Sequence, residues 1–376
     1  MRGAVIHAPG DVRFETLDDP KILKPTDAII RTAVTCVCGS DLWPYRGLEP
    51  TGEPHPMGHE YVGIVEETGG AVTSVEPGQF VVGSFATSDN TCANCRNGIQ
   101  SNCLDREFMS TCQAEYVRIP NAHGTLVATE GVPGEEFWPG LLAVSDVMGT
   151  GWWAAEAAEV KPGSSAVVVG DGAVGLCAVI AAKEMGAERI IAMSRHESRR
   201  RLAREFGATD IVTERGDEGV ARVKDLTGGI GADAVLECVG TAQAMLQALG
   251  SARPGGDVGF VGVPHEVQVD GQELFHSHVG LRGGPAPVRR YLPDLIDRVL
   301  SGRIDPGRVF DLTLPLEQVA EGYKAMDERR AMHWHGAAPN RLMVHLAINE
   351  SDADRDVVHW LTPVTDEEYA TAPPRT

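Results

Sequence analysis

The apolar run 166–169 passes directly into Gly170-Asp171-Gly172-Ala173-Val174-Gly175, which opens a second apolar stretch, 173–185. This junction constrains the fold more than any other segment. A strand that turns into a helix through G-x-G-x-x-G needs glycine for the tight turn and for close approach of a ligand to the backbone. The helix then begins with unpaired N–H groups and the positive end of its dipole, an anion site suited to the pyrophosphate of a dinucleotide. Alone the motif is weak. Here it sits within strand-helix alternation at 190–193, 198–206, 234–238 and 258–261, the pattern of a parallel, doubly wound sheet. Candidate cofactor contacts are Gly170, Gly172, Ala173, Val174 and Gly175, with Cys238, Val239, Val261, Gly262 and Val263 at the ends of two later strands.

The second strand decides which dinucleotide to expect. An acidic residue about 20 positions past the glycines would hold the ribose hydroxyls of NAD. This strand instead ends in Ser194-Arg195-His196. Ser194 can donate to a 2′-phosphate, and Arg195, with Arg199, Arg200 or Arg201, can neutralise it. Arg200 and Arg201 also fit the solvated face of the next helix. NADP(H) is therefore preferred, with NAD(H) still possible.

Before about residue 120 the texture differs: short alternating apolar runs at 28–34, 61–65 and 114–119, separated by Gly and Pro, read as an antiparallel, loop-rich β unit. A helical stretch, 139–159, joins this unit to the doubly wound one, and helices at 288–300 and 316–326 return the chain to it. A chain of 376 residues, 43% of them hydrophobic, is long enough for two cores. With 33 basic and 53 acidic residues the net charge is −20, which repels nucleic-acid backbones and anionic lipid. No run reaches the length of a membrane span, no signal-like apolar stretch follows Met1, and the expectation is a cytoplasmic protein.

Eight cysteines, unevenly placed, suit metal binding better than a disulfide scaffold. Asp89-x2-Cys92-x2-Cys95-x7-Cys103 offers four ligands from one loop, a closed set of the kind that holds a structural zinc. Asp89 is the least certain of the four, since aspartate also forms turns. A second set is scattered: Cys38, His59 with Glu60, and Asp146. Spacing alone does not unite these, and each also reads as an ordinary packed or surface residue.

What unites them is a resemblance. Cys38-Gly39-Ser40-Asp41, Gly58-His59-Glu60, the cysteine-rich loop, Thr150-Gly151-Trp152 and the glycine turn follow the order seen in zinc-dependent medium-chain dehydrogenases, and the chain resembles that family to about residue 330. The resemblance implies an α/β protein with a GroES-like β-rich catalytic domain (1–148), a Rossmann domain (149–284) and a return to the first domain (285–332). It implies a catalytic zinc on Cys38, His59 and Asp146, with Glu60 as a nearby or exchanging ligand. It further implies hydride transfer between an alcohol, aldehyde or ketone and a nicotinamide cofactor, two zinc ions per chain, and a homodimer or homotetramer. Polyols, sugars and amino-alcohols are alternative substrates, and a catalytically silent nucleotide-binding scaffold is an alternative from another class. Ser40 is placed to carry the substrate proton, and Asp41 to orient His59 or simply to form a turn.

Three features depart from the family. Trp43 stands where many members carry a proton-relay histidine, and with Trp152 it is a candidate for the substrate pocket. Asp89 replaces the first cysteine of the structural set, an oxygen donor expected to hold zinc less tightly than a thiolate. The segment 333–376 resembles the end of a small cupin domain, with a strand at 341–348, and is too short to bury a core alone.

Overall fold

Alternating β-branched and polar residues in the first 130 positions build a small antiparallel sheet and most of a larger, mainly antiparallel one. The computed structural model describes residues 1–328 and the backbone of the strand Arg341–His345. A small sheet pairs Arg2–Ala8 with Asp11–Thr16 on one side and His55–Pro56 on the other. The larger sheet has seven strands. Its longest member, Ala28–Val37, is buried at nine of ten positions, because Tyr61–Thr68, Tyr116–Ile119 and Arg341–His345 all pair with it.

The last of these strands corrects the reading of the tail. Arg341–His345 runs parallel to Ala28–Val37 and antiparallel to Phe310–Pro315, so it belongs to the first domain's sheet. In that position it supplies ladder partners to two strands that would otherwise present open edges to each other. The rest of 333–376 lies outside the described residues.

The second unit is a six-stranded parallel sheet in the order Asp210–Val212, Arg189–Met193, Ser165–Val169, Ala232–Glu237, Ala252–Phe260, Gly280–Gly283. This is the doubly wound order, which reverses direction beside the first strand and opens a crevice at the carboxyl ends. Val167 and Val168 are fully buried, as expected of a parallel sheet with both faces covered.

The connecting helical stretch breaks in two, Trp138–Val144 and Val147–Ala157. Asp146 occupies the break with non-helical backbone angles, φ −149° and ψ −77°. The expected domain border at 148/149 falls inside the second helix, which is apolar nearly all round and so cannot act as a solvated linker. One continuous core runs from Val34, Val62 and Phe80 in the antiparallel sheet, through Leu142 and Met148, to Val168, Leu176 and Leu236 in the parallel one.

Candidate active site

The loop after Ala28–Val37 and the turn before Tyr61–Thr68 lie side by side because those strands are paired, and this pairing brings Cys38 to His59. Gly58 has φ +92°, and a Cβ there would come within 2.4 Å of Gln113 Cγ and 2.8 Å of its backbone nitrogen, so only glycine lets the turn lie on Gln113. The helix break delivers Asp146 from the third segment. One ligand atom from each of Cys38, His59, Glu60 and Asp146 lies within 4.8 Å of every other.

The donors are oriented as well as gathered. His59 Nε2 lies 3.3 Å from Asp146 Oδ2 and 3.9 Å from Glu60 Oε1, while Nδ1 lies 3.3 Å from Asp41 Oδ1. Asp41 is fixed in turn: its Oδ2 accepts from the Cys38 backbone N–H at 2.9 Å and from Gln113 Nε2 at 3.2 Å, and Gln113 accepts from the buried Tyr323 hydroxyl at 2.9 Å. Asp41 therefore orients the ring and is no mere turn former. Thr150 donates to Asp146 Oδ1 at 2.7 Å, leaving Oδ2 directed at His59. Burial opposes a charged His59 ring, yet the charge of Asp41 and the hydrogen bonds to Asp146, Asp41 and Cys38 outweigh it and raise its pKa well above the ordinary value. A cage that favours a proton so strongly suits a cation, and its thiol, imidazole and carboxylate donors are those of a zinc site.

The second cluster is complete within its loop. Cys92 Sγ lies 3.5 Å from Cys95 Sγ and 3.9 Å from Cys103 Sγ, and all three cysteines are free of disulfides. Sulfurs on a tetrahedral zinc at about 2.3 Å would stand roughly 3.8 Å apart, which these separations match. Backbone N–H groups of Asp89 and Asp105 point at Cys103 Sγ. Asp89 Oδ1 accepts from the N–H groups of Thr91 and Cys92 at 2.7 and 2.9 Å. Partial burial works against its charge, but these donors hold the carboxyl down at about 2. It forms the turn, and one of its carboxylate oxygens lies within 4.8 Å of all three sulfurs.

At the crevice of the parallel sheet, Gly170 adopts φ +112°, and a Cβ on Gly175 would lie 2.1 Å from the Gly170 carbonyl oxygen. The glycine turn and the helix Ala173–Glu184 are thereby pressed together, with Ala173 buried in the core and Val174 packed against it. Val239 touches the turn from the neighbouring strand end. Cys238 donates its backbone N–H to Val169, and Val261 and Gly262 donate theirs to Glu237, which brings the named strand ends to the crevice; Val263 is exposed. Glu237, an unflagged charge ending an apolar strand, is fully buried, and its carboxylate accepts from Val239 and Gly240 at 2.8 Å each.

A pocket beside the turn is lined by Asp171, Ser194, Arg195, Glu214 and Arg215 among others. Two of the expected cofactor contacts have protein partners of their own. Ser194 Oγ donates to Asp171 Oδ2 at 2.6 Å. Arg199 is turned under the turn, 3.4 Å from the Asp171 carbonyl and 3.9 Å from Asp311, because its place on the helix Glu197–Phe206 faces the core.

The tryptophans part company. Trp43 stacks on His265 across the crevice, with ring centroids 3.3 Å apart. Trp152 is placed against Arg298 of the helix Val288–Leu300, 5.0 Å from its guanidinium, and serves packing. Six residues beyond Asp146, it projects from a different face of the helix. Ser40 Oγ stands 3.5 Å from His59 Nε2, half-buried on the open side of the cluster.

Two metal-donor clusters, one of them at the crevice of a doubly wound sheet, define a metal-dependent, dinucleotide-binding class of protein. Residues 24–130 match the model of the alcohol dehydrogenase GroES-like domain, and residues 173–300 that of the zinc-binding dehydrogenase. Zinc-type alcohol dehydrogenase B of Aspergillus flavus is 38% identical over 338 residues, covering 86% of this chain and 78% of that protein. Sorbitol dehydrogenase of Bacillus subtilis is 28% identical over 332 residues, covering 85% and 92%. The solved structure of the alcohol dehydrogenase TADH from Thermus sp. ATN1 superposes with a TM-score of 0.81 at 30% identity, over 92% of this chain and 100% of that one. The chain belongs to the zinc-type alcohol dehydrogenases of the medium-chain family: an oxidoreductase that uses zinc and a nicotinamide cofactor on a small-molecule substrate. No helix among the described residues is long and apolar enough to cross a membrane.

Proposed function

We propose that Cys38, His59 and Asp146 hold a catalytic zinc, with Glu60 as exchanging ligand, and that Asp89, Cys92, Cys95 and Cys103 hold a structural one. The observation that carries this reading is the convergence of four donor atoms from three separate segments within 4.8 Å of one another. Zinc held by these residues would supply Lewis acidity to an alcohol or carbonyl oxygen. Ser40, beside His59, takes or returns the substrate proton. Trp43 forms an apolar wall of the substrate pocket, and the glycine turn positions the dinucleotide. Two zinc ions per chain, and turnover across a panel of alcohols, aldehydes and ketones, test the assignment; one ion and no turnover would overturn it.

NADP is the preferred cofactor in this reading, supported by Arg195 and Arg215 on the cavity and by a second strand that ends without a carboxylate. NAD is the second reading, because Asp171 and Glu214 line the same cavity. Ser194→Asp should lower affinity for NADP and raise it for NAD; an unmoved ratio would exclude this use of the pocket. An alcohol, aldehyde or ketone is the proposed substrate, and a polyol the alternative, favoured by the likeness to sorbitol dehydrogenase. A cytoplasmic setting is supported by the four cysteines outside the metal clusters, none of them in a disulfide, and a homo-oligomer by Gly280–Gly283, which ends the parallel sheet among the described residues.

A further inference from the structure

Gln113 is fully buried between the two backbone segments that carry Cys38 and His59. Its N–H donates to the Met57 carbonyl at 3.0 Å, and the Gly58 turn lies on its side chain, so the backbone leading into His59 rests on this residue. The side chain reaches the other segment: Nε2 donates to the Cys36 carbonyl at 2.9 Å and to Asp41 Oδ2 at 3.2 Å. Oε1 accepts at 2.9 Å from the hydroxyl of Tyr323, itself fully buried on the helix Val319–Asp327.

The direction of these bonds is fixed by chemistry. A primary amide has two N–H donors and one carbonyl oxygen. The Cys36 carbonyl and the Asp41 carboxylate are both acceptors and take the two donors, which leaves the amide oxygen for the Tyr323 hydroxyl; a flipped amide would set its oxygen against theirs. Asp41 Oδ2 thus receives the Gln113 amide and the Cys38 N–H, and Oδ1 faces His59 Nδ1 at 3.3 Å. Because an ionised carboxylate only accepts, Nδ1 carries the proton of the neutral ring, and Nε2 presents its lone pair on the side of Asp146 and Glu60.

We propose that Gln113 is a positioning residue for the catalytic zinc: acting through Asp41 it sets the tautomer and direction of the His59 ring, and Tyr323 in turn sets Gln113. This inference rests on the assignment of zinc to Cys38, His59 and Asp146 above. The helix Val319–Asp327 contributes no donor to the cluster, yet by this route its place in the fold bears on the metal.

The test is the rate at which the zinc-loaded protein gives up its metal to a chromogenic chelator, for wild type, Gln113→Met, Tyr323→Phe, Asp41→Asn and the double variant Gln113→Met with Asp41→Asn. Cys38→Ser and Cys95→Ser, each removing a donor from one cluster, assign the two phases of release. The ion of the cysteine-rich loop is the internal reference, since general loosening of the fold would speed both. Gln113→Met should speed release from the dispersed cluster about tenfold or more and from the loop less than about twofold. Tyr323→Phe keeps the ring that packs on Tyr45 and removes only the hydroxyl, so it tests the same chain with the fold intact; about two- to fivefold faster release is expected. The double variant should stay within about twofold of Asp41→Asn, because the two residues act in series. Unchanged release in Gln113→Met and Tyr323→Phe, equal acceleration of both ions, or effects that multiply in the double variant would each overturn the proposal. Wild type without an ion at the dispersed cluster overturns the zinc reading itself, and this inference with it.

Discussion

The two four-donor clusters are built in opposite ways. Asp89, Cys92, Cys95 and Cys103 come from one short loop, so closing the set costs little chain entropy, and backbone N–H groups of the same loop already point at its donors. Cys38, His59, Glu60 and Asp146 come from three segments that meet only when a strand pairing and a helix break are both in place. The first set is rich in thiolates and has no obvious vacancy. The second mixes sulfur, nitrogen and oxygen donors, and Ser40 stands on its open side. A local cluster secures a lobe; a dispersed one reports that the whole fold is correct and leaves room for chemistry.

The sharpest way to break this comparison is Cys38→Ser. Since a metal's Lewis acidity contributes several kcal/mol, kcat/KM should fall about a thousandfold or more, far beyond what the accompanying loss of Tm explains. Similar activity in variant and wild type would mean the dispersed cluster is not catalytic. Asp41→Asn should lower zinc affinity at this site and activity by about 10- to 100-fold, because the amide no longer accepts the His59 N–H in the same way. Dialysis against a chelator, with zinc counted at each step, would expose an Asp41 that plays no part.

Smaller effects belong to the lobe. Asp89→Cys should slow zinc release from it by roughly tenfold, and Cys95→Ser should speed it while lowering Tm by a few degrees, activity following only as the fold fails. If Cys95→Ser lost activity at full Tm, the division between a structural and a catalytic cluster would be wrong.

The smallest effect is one of pH. A raised His59 pKa stabilises the zinc-free protein below the ordinary value of 6.5, and that contribution is lost as pH rises through the raised value. Zinc requires the neutral ring, so its contribution grows over the same range. The gap in Tm between zinc-loaded and zinc-stripped protein should therefore widen as pH rises above 6.5, and widen less in His59→Ala; equal widening in the two proteins would count against His59 as a ligand. Asp89, held at about 2, stays ionised throughout this window and should not contribute to the change.

Local patterns were legible and non-local ones were not. The glycine turn, the alternating strands and the Cys-x2-Cys loop each declare themselves within a few residues, where steric and ligand-spacing rules operate. The dispersed cluster became legible only through family resemblance, since nothing in the spacing of Cys38, His59 and Asp146 implies proximity. The side-chain partners of Ser194, Arg199 and Trp152 were not legible: Asp171 for the first, which lines the pocket, the Asp171 carbonyl for the second and Arg298 for the third. Their rotation about a strand end or a helix is set by packing. Glu237 and Arg215 gave only faint signals, a charge closing an apolar strand and an arginine ahead of a helix.

The amino-acid sequence by itself determined that this chain winds a parallel sheet around a phosphate-binding turn and carries a zinc-ready loop, because both depend on residues close along the chain. Tertiary structure alone decided which carboxylate meets Ser194, which arginines line the pocket beside the turn and that Arg341–His345 joins Phe310–Pro315 to Ala28–Val37. Those outcomes depend on register and side-chain direction, and both are fixed only once neighbouring strands and helices have packed.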